Sequence, residues 1–161
     1  MAGFWAPYTN QKLYLARLQF DWMGTGATGA NPAFQESARQ AGLFLLHEAW
    51  LGLLNEIGES FNLPKGGKER ISSLSDLEKK LGATNSEVAF LLGLYETPKS
   101  WLRLLLGEQE ACLYPRPKPE TQVPVELSLA AAEGEGMSRY QLLLQDLKDY
   151  VIAFRERTQE W

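Results

Sequence analysis

Apolar residues recur at helical spacing along most of the chain, which predicts a mainly α-helical protein. The spacing is clearest between residues 137 and 161, where apolar positions follow one another at steps of three and four. Such a heptad-like pattern is typical of helices that pack antiparallel in a bundle. The first helix is predicted from Thr9, a good N-cap residue, to Met23.

The longest predicted helix runs from Pro32 to about Asn62. Between residues 41 and 54 it is apolar or glycine at all but two positions, and a helix that is apolar on nearly every side is buried. We therefore expect this segment to be the central helix. Gly42 and Gly52 would let neighbouring helices approach it closely, at a cost of about 1 kcal/mol each relative to alanine.

Further helices are predicted from their start signals. Ser75 and Thr84 each stand three positions before a glutamate, which is the pattern of a capping box, and Ser138 stands three positions before Gln141. Thr97, followed by proline, predicts the start of another helical segment.

Residues 114–136 differ from the rest because their prolines forbid a continuous helix. Alternating apolar residues between 123 and 129 favour an extended segment or an edge strand. The predicted fold class is all-α: a four-helix-bundle-like core, two additional short helices and a Pro-rich extended crossover over 114–136. A length of 161 residues predicts one domain that spans the chain.

The composition of the chain makes some classes of function less favourable than others. The chain is 45% hydrophobic with a net charge of −4, whereas proteins that bind duplex nucleic acid usually carry a basic stripe. Cys112 is the only cysteine, so no intramolecular disulfide can form. No apolar run approaches the ~20 residues that span a bilayer, and the first residues lack a secretory signal pattern. We expect a cytoplasmic protein with no membrane insertion and no nucleic-acid partner.

His47 is the only histidine and therefore the first candidate for chemistry. It could act as a general base or a metal ligand, or it could pack in neutral form among aromatic residues of the central helix. A structural zinc site needs four Cys or His ligands, and a di-iron bundle needs a Glu-x-x-His motif on each of two helices. The sequence therefore predicts no metal and no cofactor.

Arg39 and His47 raise the possibility of a helical ribonuclease of the HEPN type, which carries Arg and His separated by four to six residues. Here His47 follows Arg39 by eight positions, which places the two about 12 Å apart on one helix. The side chains could converge only across a dimer, so the sequence favours a protein without catalytic residues.

Glu48, Asn55 and Glu59 recur along one side of the predicted central helix. They could form a polar groove that binds a cation or a small polar ligand. They could equally be the solvated edge of an otherwise buried helix. Both interpretations stay open from the sequence.

Residues 8–18, Tyr-Thr-Asn-Gln-Lys-Leu-Tyr-Leu-Ala-Arg-Leu, resemble the start of a family of small uncharacterised helical proteins of gammaproteobacteria. The resemblance implies a helical fold and a bacterial cytoplasmic origin, and it supplies no catalytic residue. It draws attention to Asn10, Lys12, Tyr14 and Arg17 as polar groups with a possible function, against the alternative of capping and surface solvation.

Abundant packing signals and few chemical groups favour a non-enzymatic interaction or structural module. Its partner would be a second copy of the chain or another protein, and the last helix or the aromatic termini would supply the contact. A small-polar-ligand-binding bundle is the alternative function, and a HEPN-like ribonuclease is the second alternative.

Overall fold

The computed structural model describes residues 3–25, 31–64, 69–115 and 138–159, and six α-helices account for most of them. The helices are α1 (Ala6–Met23), α2 (Pro32–Ser60), α3 (Leu74–Leu81), α4 (Ser86–Glu96), α5 (Trp101–Ala111) and α6 (Arg139–Gln159). No β-strand occurs within these four ranges, and the all-α prediction is confirmed. The predicted crossover lies outside the described residues from position 116 onward.

Helices α1, α2, α5 and α6 form an antiparallel four-helix core. Near one end of the core, Phe20 of α1 stacks on Tyr140 of α6, with ring centroids 5.6 Å apart. Near the other end, Arg155 of α6 donates to the carbonyl oxygen of Ala6 at 3.4 Å, so α1 and α6 run in opposite directions. The short helices α3 and α4 lie between α2 and α5 in the chain. The predicted arrangement of four core helices and two short ones is confirmed.

Helix α2 occupies the centre of the core, as its apolar run predicts. Every residue from position 49 to position 58 is buried, including Asn55 and Glu56. Trp50 is among the largest fully buried side chains, and it packs with residues of the surrounding helices. Because no side of this stretch faces water, its polar side chains must find partners within the protein.

Gly42 and Gly52, two of the three glycines of α2, lie where α1 crosses closely. A Cβ atom on Gly42 would come 2.3 Å from Cε1 of Phe20, and one on Gly52 would come 2.5 Å from Oγ1 of Thr9. A side chain at either position would force α1 away from α2. The predicted close approach at Gly42 and Gly52 is thus confirmed.

Helix α1 begins earlier than predicted. It starts at Ala6 with a proline in its first turn, and Thr9 lies buried inside the helix, where its hydroxyl donates to the carbonyl of Trp5 at 3.2 Å. The prediction of Thr9 as N-cap was wrong because the cap comes from another helix. The carboxylate of Glu59 accepts from the backbone N–H of Phe4 at 2.7 Å and from that of Trp5 at 3.3 Å.

Three other helix starts also differ from their sequence signals. The N-cap of α3 is Ser73 rather than Ser75, and the N-cap of α4 is Asn85 rather than Thr84. Helix α5 is capped by Ser100, whereas the hydroxyl of Thr97 donates to a carbonyl at the end of α4. In each case a neighbouring Ser or Asn offers equivalent capping chemistry, so the packing of the helices decides which residue caps.

The start of α6 agrees with its predicted capping box. The hydroxyl of Ser138 accepts from the N–H of Gln141 at 3.2 Å, and the side chain of Gln141 accepts from the N–H of Ser138 at 3.0 Å. The predicted apolar seam of this helix is buried against the core at Tyr140, Leu144, Leu147, Val151 and Phe154. It is therefore used within the chain rather than offered to a partner.

Candidate functional site

Tyr8, Glu48 and Arg70 form a polar cluster where α1, α2 and the segment before α3 meet. The Tyr8 hydroxyl donates to Oε2 of Glu48 at 2.5 Å, and Nη2 of Arg70 donates to the same oxygen at 2.9 Å. The Arg70 guanidinium lies 5.9 Å from the centroid of the Tyr8 ring, and Nζ of Lys12 lies 5.0 Å from it. Glu48 and Lys12, two residues singled out from the sequence, thus meet around Tyr8.

The charge states within this cluster follow from burial and hydrogen bonding. Burial alone would raise the pKa of Glu48, but hydrogen bonds from Tyr8 and Arg70 outweigh it and hold that pKa below its ordinary value. His47 is half-buried on α2, and burial lowers its pKa. Its ring is therefore neutral at pH 7, which agrees with the interpretation of a packed, uncharged histidine.

Asn55 of α2 forms hydrogen bonds to the backbone of the segment before α3. Its Oδ1 accepts from the N–H of Ile71 at 2.9 Å, and its Nδ2 donates to the carbonyl of Ile71 at 2.9 Å and to that of Leu51 at 2.8 Å. The side chain is only 5% exposed, so these bonds form away from water. Asn55 therefore acts as a backbone partner for an irregular segment.

The three residues predicted to line a polar groove lie along one side of α2, and each makes hydrogen bonds to the start of α1, to the segment before α3, or to both. Glu48 contacts Tyr8 and Arg70, Asn55 contacts Ile71, and Glu59 caps the start of α1. Ligand binding by Glu48, Asn55 and Glu59 stays a prediction. In the structure they hold neighbouring segments against the central helix.

Arg39 is buried at the other end of α2, with only 4% of its surface exposed. Its Nε and Nη2 donate to the two carboxylate oxygens of Glu36 at 2.9 and 2.7 Å, and its Nη1 lies 3.6 Å from Glu108 of α5. The guanidinium also lies 6.0 Å from the ring centroid of Tyr140. Arg39 and His47, the two residues of the ribonuclease hypothesis, have different neighbours, and Arg39 is occupied in linking α2 to α5 and α6.

Glu56 and Arg155 form an ion pair that attaches α6 to α2. Nε and Nη2 of Arg155 donate to the two oxygens of Glu56 at 3.0 and 2.9 Å. Nη1 of the same guanidinium donates to Oδ1 of Asn10 at 2.8 Å. Asn10, singled out on the first helix, therefore orients a cation of the last helix.

Glu87 attaches α6 to α4 in a similar way. Its two oxygens accept from Nε and Nη2 of Arg157 at 3.0 Å each, and the hydroxyl of Tyr150 donates to it at 2.5 Å. Burial and the bond to Glu87 raise the pKa of Tyr150, so its hydroxyl keeps its proton as a donor.

Sequence reasoning missed these anchors of α6. A signal existed for Glu56, because it follows the apolar run of residues 41–54 closely and a carboxylate buried there requires a cationic or hydrogen-bonding partner. The partner itself was invisible, since Arg155 is 99 positions away in the chain. Nothing in the local pattern around Glu87 marks it as buried.

A groove of about 260 Å³ runs between α1 and α6. Its polar wall contains Asn10, Tyr14 and Arg17 from α1 with Lys148 and Arg155 from α6. The apolar residues that line it are Leu13, Leu144, Val151 and Ile152. Three of the four polar residues singled out on the first helix, all but Lys12, thus border one concave surface.

The opposite flank of α1 forms an apolar surface with α2, which we call the hairpin face. Trp22 of α1 contacts Phe34 of α2, with ring centroids 6.5 Å apart. Along α2 a stripe at steps of three and four leads from Phe34 to Phe44, and these two rings are 53% and 58% exposed. We define the hairpin face by helical spacing from these rings, and none of its residues is charged: Leu15, Gln19, Trp22, Phe34, Ser37, Ala41 and Phe44.

Two general properties complete the description. None of the described helices is long and apolar enough to cross a membrane. Within the same ranges, no three His, Cys, Asp or Glu side chains converge in a way that could hold a metal ion.

An antiparallel four-helix core with two added short helices, connected by ion pairs of buried carboxylates, places this chain among all-α helical-bundle proteins. More specifically, the chain belongs to a family of unknown function, DUF6586, whose profile matches residues 1–161. No curated protein and no solved structure matches it. The prediction of membership in a family without an assigned function is confirmed.

Proposed function

We propose that this protein is a non-enzymatic interaction module that pairs with a second copy of itself through the hairpin face. The observation that carries the proposal is three exposed aromatic side chains on one uncharged surface. Trp22 is 42% exposed, and Phe34 and Phe44 are more than half exposed. In a chain with 22% charged residues, a surface of this composition is a candidate for contact with another protein.

The size of the hairpin face supports this role. A fully covered aromatic side chain buries 150–250 Å², so three rings that are about half exposed leave roughly 300 Å² of apolar surface open. Apolar patches of that size on folded proteins are often functional. A dimer contact buries about 800 Å² on each partner, so the rings would form its centre and neighbouring polar residues its rim.

The lack of charge favours a symmetric contact. In a two-fold dimer each residue of the surface meets the same surface of the partner, and like charges would face one another. Gln19 and Ser37, the polar members of the hairpin face, are neutral. Two hairpin faces can therefore meet without electrostatic repulsion.

The non-enzymatic part of the proposal is supported by how the buried ionisable groups are used. Arg39, Glu56 and Glu87 each face a partner of opposite charge within the chain. Among the described residues, every buried side-chain nitrogen or oxygen has a hydrogen-bond partner. These groups are therefore engaged within the bundle, which favours a structural use of them over a catalytic one.

We further infer that the module works in the cytoplasm of a gammaproteobacterium. The support is the resemblance of residues 8–18 to proteins of that group and the single cysteine of the chain. Cell fractionation with an antibody against the protein tests this placement, and recovery in the periplasmic fraction would contradict it.

Sedimentation equilibrium across a range of concentrations tests the dimer. The wild-type chain should approach twice its mass of 18.1 kDa in the micromolar range. Phe44→Lys should raise the dissociation constant about 30-fold or more, because hot-spot aromatic residues contribute 2 kcal/mol or more. Phe44 is exposed, so the variant should fold normally.

Leu142→Lys is the matched control, because Leu142 is 50% exposed on α6 and the substitution also introduces a lysine at an exposed apolar position. It should leave the dimer intact. A wild-type chain that stays monomeric at high micromolar concentration would refute self-association. Equal weakening by Leu142→Lys would show that the hairpin face is not the contact.

A further inference from the structure

The geometry points to a second, separate site: we propose that the groove between α1 and α6 binds a small amphipathic anion, a carboxylate carried on an apolar body. Part of the lining is apolar and includes the buried side chains of Leu13, Leu144 and Val151. Arg17 and Lys148 border the same groove. A ligand with one charged end and one apolar end matches this division.

The charged side chains that line the groove are all cations, although the molecule as a whole is acidic. The chain carries a net charge of −4, yet the lining includes Arg17, Lys148 and Arg155 and contains no Asp or Glu. Low-dielectric walls concentrate the field of such cations, which raises the local concentration of small anions. The groove therefore selects for negative charge within an acidic protein.

Hydrogen bonds within the chain hold the guanidinium of Arg155 in a fixed orientation. Two of its N–H groups donate to Glu56, one donates to Asn10, and one donates to the carbonyl of Ala6. A guanidinium has five N–H donors, so one hydrogen on Nη1 remains for a ligand. Because the side chain is already ordered, binding through it costs little additional side-chain entropy.

Lys148 and Arg17 supply cations that are available to a ligand. Lys148 is exposed and has no ion-pair partner within the described ranges. Arg17 lies 3.5 Å from Asp21, but both side chains are largely exposed, and ion pairs of this kind are weak. A carboxylate between these side chains would gain hydrogen bonds that neither makes strongly within the chain.

The volume of the groove limits the size of the ligand. At about 30 Å³ for each water-sized group, 260 Å³ holds roughly nine non-hydrogen atoms. This fits a carboxylate attached to one aromatic ring or a short branched chain. Tyr14, which is 60% exposed at the edge of the groove, could cover the ring of such a ligand.

An NMR titration with 3-phenylpropionate tests the site. The backbone amide signals of residues 10–17 and 144–155 should shift together and saturate. The neutral analogue 3-phenylpropanamide should bind at least about tenfold more weakly, because it lacks the charge that the cations recognise. Binding should weaken as salt is added.

Variants connect the titration to the groove. Lys148→Gln should weaken binding about threefold to fivefold, the range for one exposed charge pair. Lys79→Gln removes an equal charge from the exposed side of α3 and should leave binding unchanged. Phe44→Lys should also leave it unchanged, which separates this site from the hairpin face.

Four results would overturn the proposal. These are the absence of localised shifts at millimolar 3-phenylpropionate, equal affinity for the neutral amide, equal effects of Lys148→Gln and Lys79→Gln, and inorganic phosphate binding as tightly as 3-phenylpropionate. The last result would show that the apolar lining plays no part.

Discussion

Glu48, Asn55 and Glu59 recur along one side of α2. Glu48 and Asn55 hold the segment before α3 against that helix, and Glu59 holds the start of α1. Polar side chains at the edge of a buried helix lose hydration on folding, so each must form hydrogen bonds that replace water. Asn55 is the most enclosed of the three, and it pairs with both backbone groups of Ile71. The Asn55 side chain therefore makes the hydrogen bonds to these two groups that a neighbouring strand or a helix would otherwise make.

Replacing Asn55 with alanine should therefore destabilise the protein. The N–H and C=O of Ile71 would stay buried without partners, at a cost of about 1–3 kcal/mol in the free energy of unfolding. Urea denaturation measures the change, and hydrogen exchange should show loss of protection at the Ile71 amide. Gln11→Ala removes an exposed amide from α1 and should change the free energy of unfolding by less than about 0.5 kcal/mol. Equal effects of the two variants would contradict the assigned role.

His47 makes stability depend on pH near neutrality. Its pKa in the folded protein is lowered, first by burial, although Glu48 opposes this shift. The unfolded chain takes up a proton near pH 6.5, and the folded protein does so only at lower pH. The unfolded state therefore binds more protons in that interval, and the free energy of unfolding should fall as the pH drops below about 7.

His47→Gln tests this dependence cleanly because the chain has no other histidine. Between about pH 7 and pH 5.5, the free energy of unfolding from urea titrations should decrease in the wild type and stay nearly constant in the variant, since carboxylates titrate mainly below this range. Parallel slopes for the two proteins would show that burial of His47 does not control the effect.

At the scale of helices, two kinds of contact hold the elements in register. Gly42 and Gly52 let α1 lie close to α2, and the ion pairs of Glu56 and Glu87 attach α6 to α2 and α4. The carboxylates of Glu56 and Glu87 are buried, whereas their arginine partners are partly exposed, so desolvation and solvent screening offset much of the attraction. Losing an arginine would still leave a buried carboxylate unpaired. These ion pairs therefore mainly disfavour other positions of α6, in which the buried carboxylates would have no cationic partner.

Gly42→Ala should destabilise the contact between α1 and α2. The new Cβ would overlap the ring of Phe20, which is 2% exposed and stacked on Tyr140, and overpacking of this kind costs about 1–3 kcal/mol. Alanine has a higher helix propensity than glycine, which offsets about 1 kcal/mol of this cost. The expected net loss in the free energy of unfolding is therefore up to about 2 kcal/mol.

Gly93→Ala is the control for this substitution. Gly93 lies in α4, and no atom is within 4 Å of its added Cβ, so the change should stabilise the protein by up to about 1 kcal/mol. Thermal or urea unfolding compares the two variants. If Gly42→Ala stabilised the protein as much as Gly93→Ala, the close approach of α1 would not be a constraint.

Across the whole molecule, α1 separates two surfaces of different chemistry. One flank joins α2 in the uncharged hairpin face around Trp22 and Phe34, and the other flank joins α6 in the groove that contains Arg17 and Arg155. Both depend on the antiparallel order of the core, which places α1 between α2 and α6. Because the surfaces lie on different flanks, substitutions can abolish one and keep the other.

Helical periodicity, proline positions and capping residues determined the elements from the sequence. These signals are local, so they correctly indicated an all-α fold, the long central helix and the capping box of Ser138 and Gln141. They were less reliable for the helix starts near Ser75 and Thr97, where two or more nearby residues offer similar caps. They also failed near Thr9, because α1 begins at Ala6 without a capping side chain of its own.

The contacts between elements were decided only in three dimensions. Glu59 replaces a local N-cap for α1, and Arg155 neutralises Glu56 from 99 positions away, because the free energy of a buried polar group depends on what surrounds it rather than on its neighbours in sequence. The apolar pattern determined which sides of the helices are buried, and the packing of those sides determined which polar groups meet.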